Sequence, residues 1–171
     1  MMAGRLNITN ADLPGVLLIE PPTIFEDFRG HYVEIWNKCL YEEAGATHNF
    51  VTDDISVSRR GVLRGIHGDD KTWKLVSCLW GCFYLVVVCM DQQKKVYKQW
   101  RAFTLSAHNR LQVLIPPNYG NGYLVLSDWA IFHYKQSQYY DRANQFTLKW
   151  NDPSLDIYWP IGEPILSERD R

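Results

Sequence analysis

The chain lacks long hydrophobic runs, an excess of either charge, internal repeats and, for the most part, helix-like stretches. Its longest apolar segment, Cys82–Met90, is far too short to cross a bilayer as a helix. The opening Met1-Met2-Ala3-Gly4-Arg5 is not followed by an apolar signal core. The formal net charge is −1, which gives no general attraction to nucleic acid or to an anionic membrane. An anionic small ligand would need arginines gathered locally. Cysteine is also scarce: Cys39, Cys78, Cys82 and Cys89 show no Cys-x-x-Cys spacing, and three of them sit in apolar strand-like runs. They read as small buried residues of a reducing compartment in preference to disulfides or metal ligands. Together these absences predict a cytoplasmic, soluble protein with no membrane or nucleic-acid partner.

What is present is globular. With 171 residues, 46% of them apolar and 22% charged, the chain fits a single domain over 1–171 with a real core. Short β-type runs broken by turn residues dominate. They fall at Gly15–Glu20, His31–Trp36, Phe50–Val57, Val62–His67, Trp73–Leu79, Phe83–Met90, Trp100–Leu105, Leu111–Ile115, Tyr123–Leu126 and Ala130–Gln136. Lys38–Ala44 is the best helical candidate. Asp91–Lys95 reads as a hairpin loop, and Asp27–Gly30 and Pro116–Gly120 as turns. Many short, evenly spaced strands indicate a sandwich or barrel. The aromatic, turn-rich end, with Trp150-Asn151-Asp152-Pro153 and Tyr158-Trp159-Pro160, reads as a segment wrapped over it.

Among the five histidines, His67 has the context of a site. It ends a β-run, follows Arg64-Gly65-Ile66 and precedes the polar Gly68-Asp69-Asp70-Lys71, where a barrel mouth would open. A strict period of two puts Leu63, Gly65 and His67 on one face and Arg64 with Ile66 on the other. Lys74, between Trp73 and Leu75, is an unusual core choice, since burying an ammonium is costly without a partner. On pattern alone a solvated outward lysine fits equally well.

At this point the sequence resembles the dTDP-4-dehydrorhamnose 3,5-epimerases. The matching segments run in order from Pro14 to Asp170. They include Gly15-Val16-Leu17-Leu18-Ile19, Asp27-Phe28-Arg29-Gly30, Gly61-Val62-Leu63-Arg64-Gly65-Ile66-His67 and Lys74-Leu75-Val76. Ile115-Pro116-Pro117, Tyr134-Lys135, Trp150-Asn151-Asp152 and Leu166-Ser167-Glu168-Arg169-Asp170 continue the series. The stretch from Gly65 to Leu75 resembles most closely members acting on GDP-linked 4-keto-heptoses. The resemblance implies an all-β, double-stranded β-helix (jelly-roll) cupin barrel with short helices and a C-terminal wrapping segment. It also implies a homodimer, a nucleotide-sugar substrate, no cofactor and no metal. Metal-binding cupins usually present paired histidines, a glutamate and a late histidine. Here His67 is followed by Gly68-Asp69, and the late position holds Asn121, which argues against a Zn or Fe site of that kind.

Roles follow from the resemblance. His67 would be the base that removes a proton beside a 4-keto group, because a neutral imidazole titrates near working pH. Asp170 would orient it, although composition alone favours an ordinary terminal aspartate. Lys74 would face the enolate oxygen. Tyr134 would return the proton from the other side, the competing reading being a packed core tyrosine. An inward Tyr134 sends His133 outward, away from the site. Arg29 and Arg64 match phosphate-side arginines, with a plain surface arginine the alternative for Arg29. Tyr32 and Glu34 match base and ribose positions, on a neighbouring subunit if not on the same one. Asp53 and Asp54 stand where the family has an Asp-Asn pair near the sugar. Two departures stand out: Asn121 replaces a histidine and Leu85 an aspartate that look like a second His–acid pair. Asn121 remains a substrate contact able to hydrogen-bond a sugar hydroxyl or the keto oxygen, but it cannot act as a base. The two departures leave open whether C3, C5 or both are inverted, and whether the sugar is a hexose or a heptose. A related ketoisomerase and a non-catalytic sugar-nucleotide binder are the competing functions. Retention of His67, Lys74, Tyr134 and Asp170 weighs against the binder.

Overall fold

The computed structural model describes residues 6–21 and 23–171; the opening Met1–Arg5 lies outside them. Among these residues, short β-type runs form thirteen strands. In chain order they are β1 (Asn7–Asn10), β2 (Leu17–Glu20), β3 (Thr23–Asp27), β4 (Gly30–Val33), β5 (Thr52–Arg59), β6 (Leu63–Gly68) and β7 (Lys74–Trp80). There follow β8 (Cys82–Cys89), β9 (Trp100–Ser106), β10 (Gln112–Ile115), β11 (Tyr119–Val125), β12 (Trp129–Gln136) and β13 (Phe146–Thr147). The one α-helix among the described residues is α1 (Lys38–Glu43), whose Asn37 side chain accepts from the Leu40 N–H as an N-cap. No helix there is long and apolar enough to cross a membrane.

The strands form a six-stranded sheet, ordered β1-β2-β10-β7-β12-β5, and a five-stranded sheet, ordered β13-β6-β11-β8-β9. Their inner faces close on a core that includes Val76, Phe83, Leu85, Val87, Val113 and Phe132. The outer face of the five-stranded sheet carries Leu63, Ile66, Val86, Val88 and Leu124, and the C-terminal segment covers it with Leu155 and Trp159. The wrapping segment expected from the sequence thus has a definite job. Helix α1 covers part of the other outer face, at β2, β10 and β7, setting Tyr41 against Ile19, Leu75 and Leu114. The hairpin β3-β4 pairs only with itself. Cys78 and Cys89 are buried, Cys82 is half-buried and Cys39 is exposed.

Three local expectations are corrected. The strand expected over His31–Trp36 ends at Val33, where Glu34 turns away to bond the Asn37 side chain. The turn expected over Pro116–Gly120 stops short, and β11 already begins at Tyr119. Its glycines look like turn residues but serve close packing: a Cβ on Gly120 would meet Ile66 Cγ2 at 2.7 Å. Last, strict alternation fails in β6. Tyr123 pairs with Arg64 and Asn121 with His67, so two steps along β11 match three along β6. The extra residue is a bulge, and it puts Arg64 and His67 on the same, inward face while Leu63 and Ile66 both face outward.

Gly65 makes that bulge possible. It sits at φ +113°, a region that L side chains avoid. A Cβ there would come within 2.5 Å of Gly122 Cα and 2.6 Å of the Asn121 carbonyl oxygen. We therefore expect Gly65→Ala to cost at least about 2 kcal/mol. Gly162→Ala, with open space around it, should stay within about 0.5 kcal/mol of wild type. Thermal unfolding compares the two; equal melting temperatures would refute the packing account.

Candidate active site

The bulge, the start of β7, the middle of β11 and the end of β12 surround a cavity of about 530 Å³ between the two sheets. Seven residues anticipated from sequence line it: Asp54, Arg64, His67, Lys74, Asn121, Tyr134 and Asp170. His67 projects from the five-stranded sheet and Tyr134 from the six-stranded sheet facing it. The C-terminal segment brings Asp170 back so that its Oδ1 lies 2.8 Å from His67 Nε2. Ser167 Oγ donates to the other carboxylate oxygen at 2.7 Å. Asp170 is only 4% exposed. Burial opposes its ionisation, but hydrogen bonds from His67 and Ser167, the His67 charge and the Gly65 backbone N–H outweigh burial and hold its pKa below the usual carboxylate value. Beside an ionised Asp170 the Nε2 carries the proton and donates it to the carboxylate in a hydrogen bond, so in the neutral ring Nδ1 is the nitrogen with the free lone pair.

Lys74 is buried and reaches from one sheet to the other. Its Nζ donates to Asn121 Oδ1 at 3.0 Å and to the His67 carbonyl at 3.4 Å. Desolvation pushes its pKa down to about 8, with Asp69 working against that fall and Arg169 adding to it. Burial raises the Tyr134 phenol above its ordinary value, helped by the Asp54 charge and by Tyr140 and Tyr123. The phenol therefore keeps its proton. Arg64 Nε donates to Ser58 Oγ at 3.0 Å, and no ion pair engages Arg64 among the described residues. Its remaining N–H groups are free for an anion.

Four expected contacts lie elsewhere in the single chain. Asp53 and Asp54 are strand neighbours, so only one can face inward. Asp54 does, accepting from Gln136 Nε2 at 3.2 Å. Asp53 points outward and binds His133 Nε2 and Lys135 Nζ, both at 2.5 Å. His133 lies outside the cavity as expected, though it is buried and not solvated. Arg29 is on the β3-β4 hairpin, forked onto Asp27 and 77% exposed. Tyr32 on the same hairpin is exposed, and Glu34, just beyond it, accepts from Asn37.

Sequence reading missed other lining residues. Ser56, Tyr123, Phe132 and Gln136 share a strand face with Asp54, Asn121 or Tyr134, so a period-two count from those residues would have found them. Tyr140, Gln145 and Arg169 offered no such signal, being in irregular segments. Arg169 joins them, donating to the Tyr140 hydroxyl at 3.1 Å and to Gln145 Oε1 at 3.0 Å. Among the described residues, no group of three or more His, Cys, Asp or Glu side chains is placed to hold a metal ion.

Fold and site together define a jelly-roll cupin whose cavity pairs an oriented imidazole with an opposed phenol. The chain belongs to the dTDP-4-dehydrorhamnose 3,5-epimerase family, whose model matches residues 10–171. It is 37% identical over 169 residues to the dTDP-4-dehydrorhamnose 3,5-epimerase of Shigella flexneri, spanning 96% of this chain and 93% of that protein. It superposes on the Legionella pneumophila dTDP-6-deoxy-D-glucose-3,5-epimerase in complex with dTDP-4-keto-L-rhamnose. The TM-score is 0.92 at 38% identity, covering 97% of this chain and 90% of that one. A Bacillus anthracis dTDP-4-dehydrorhamnose 3,5-epimerase with TDP and pyrophosphate bound gives a TM-score of 0.93 at 35% identity, with 97% of each chain covered.

The Lys74 environment carries a stability prediction. The fall from 10.5 to about 8, at about 1.4 kcal/mol per tenfold, costs the fold up to about 3 kcal/mol at neutral pH. The folded pKa lies below the unfolded one, so this penalty is complete below pH 8 and fades as pH rises from about 8 to 10.5. Lys74→Met should melt several degrees above wild type at pH 7, with the gap closing towards pH 10.5. A gap that is absent at pH 7, or independent of pH, counts against a charged buried Lys74.

Proposed function

We propose that this protein inverts C3, C5 or both in a nucleotide-diphosphate 4-keto sugar, in the making of deoxysugar precursors. The observation that carries the reading is the His67–Asp170 pair facing Tyr134 across one cavity. A 4-keto group acidifies the protons on both adjacent carbons. His67 Nδ1 takes one of them, and Asp170 stabilises the imidazolium that results. Lys74 offers an N–H and a positive charge to the enolate oxygen, which interacts more strongly in the transition state than in the ketone. Tyr134, still protonated, delivers its proton to the opposite face of the carbon. The configuration inverts and the carbonyl stays where it was. Arg64 supports binding of the diphosphate by its fork geometry. Family membership favours dTDP as the nucleotide.

The test is incubation with dTDP- and GDP-linked 4-keto-6-deoxy sugars in D2O, reading deuterium at C3 and C5 by NMR. Wild type should incorporate solvent deuterium. His67→Asn should reduce exchange by at least about 10³-fold. Tyr134→Phe should keep proton abstraction but lose inversion. Exchange that survives loss of His67 moves the base elsewhere, and a migrated carbonyl indicates a ketoisomerase.

We also infer that the working unit is a cytoplasmic homodimer. The β3-β4 hairpin exposes Phe25, Phe28 and Tyr32, and the outer face of the six-stranded sheet exposes Ile55, Val57, Trp80 and Trp129. So much uncovered apolar surface is unusual for a monomer. A second copy that covered it could bring its Arg29 to a cavity that in one chain holds Arg64 but not Arg29. Sedimentation should give twice the 20.0 kDa chain mass. A monomer at micromolar concentration with full activity contradicts this.

A further inference from the structure

The side chain at position 121 is polarised by its neighbour. An asparagine can turn either its oxygen or its amide nitrogen towards a partner, but a lysine ammonium has only donors. The 3.0 Å contact with Lys74 Nζ therefore forces Oδ1 towards the lysine and turns the NH2 group away from it. That nitrogen has no partner among the described residues, yet it is not sealed in protein, since the only buried unpaired side-chain nitrogen or oxygen found there is His133 Nδ1. Asn121 lines the cavity directly opposite His67 in the strand register, so its free N–H groups open onto the same space as the base. Lys74 spends one N–H on Asn121 and one on the His67 carbonyl, which leaves one for a ligand.

We propose that Asn121 and Lys74 together form a two-donor oxyanion hole for the substrate's enolate oxygen, with Asn121 the neutral donor and a further catalytic residue. This rests on the epimerase reading above. Asn121 cannot change charge near neutral pH, so it stabilises developing negative charge without competing with His67 for protons. It also holds Lys74 at a fixed place in the cavity. Leu85 completes the arrangement: it lies in the apolar core on the neighbouring strand, opposite Tyr123, so no carboxylate stands there to draw Lys74 or Asn121 away from the ligand.

The experiment is steady-state kinetics with the dTDP-linked 4-keto-6-deoxy sugar, together with deuterium incorporation in D2O. It uses full-length wild type, Asn121→Ala, Asn121→Asp, Lys74→Met and the double variant Asn121→Ala/Lys74→Met. Asn121→Ala should lower kcat by about 10²-fold with KM within about threefold, because the donor acts on the enolate and not on the ketone. Asn121→Asp, which keeps the shape but replaces the N–H donor with a carboxylate, should lose at least as much; it decides the matter if the alanine variant does not fold. In the Lys74→Met background, Asn121→Ala should cost less than about threefold more, as for groups that act as a unit. If a folded Asn121 variant keeps kcat within about threefold, or if its loss falls on KM alone, the oxyanion role is overturned while the epimerase reading stands. A wild type that incorporates no deuterium overturns both.

Discussion

The site depends on a contact between residues far apart in the chain, the hydrogen bond between His67 and Asp170. Neither partner could hold this geometry alone. His67 faces inward only because β6 carries one extra residue at Gly65. Asp170 arrives only because the C-terminal segment is packed against the barrel. Val62 bridges to Ile165, and the Leu63 N–H donates to the Ile165 carbonyl at 3.0 Å. Leu155 and Trp159 bury themselves against Leu63, Ile66 and Val88. Burying one such side chain contributes about 1.5–3 kcal/mol, so apolar packing on the outside of the barrel positions a carboxylate on the inside.

The cavity also separates its ionisable groups by environment. Asp170 is held ionised by hydrogen bonds despite its burial. Lys74, buried with few compensating charges, is pushed the other way. Tyr134, beside Asp54, keeps its proton. One wall thus holds an imidazole with a carboxylate against it and the facing wall a protonated phenol, with a partly destabilised cation between them. Storing unfavourable charge in this way costs stability, and the proposed stabilisation of an enolate would account for that cost.

Much of this was legible in the residues, and the misreadings have physical causes. Strand periodicity located most of the β-runs, but counting by two assigned Arg64 and His67 to opposite faces. The count fails wherever a bulge adds a residue, and glycine at position 65 was the available warning. The adjacent pair Asp53-Asp54 could not both reach a sugar, for the same reason of alternation. Asp53 instead pairs with Lys135 and hydrogen-bonds His133 on the outer face. Arg169 escaped notice because irregular chain has no period from which its direction could be read. Arg29, Tyr32 and Glu34 lie on or beside a hairpin that pairs with neither sheet, so their relation to the cavity is a matter of assembly.

The sequence by itself determined a β-rich single chain of near-neutral charge, the jelly-roll family it belongs to, and the identities of the imidazole, ammonium, phenol and carboxylate gathered in the cavity. These are properties of residue type and order, and they survive any detail of folding. Only the tertiary structure decided which way each side chain points, that the Lys74 ammonium is buried and shared with Asn121, and that the carboxylate near the chain's end meets the imidazole. Those facts depend on contacts between residues dozens of positions apart. Such contacts are set by packing free energy and not by local pattern.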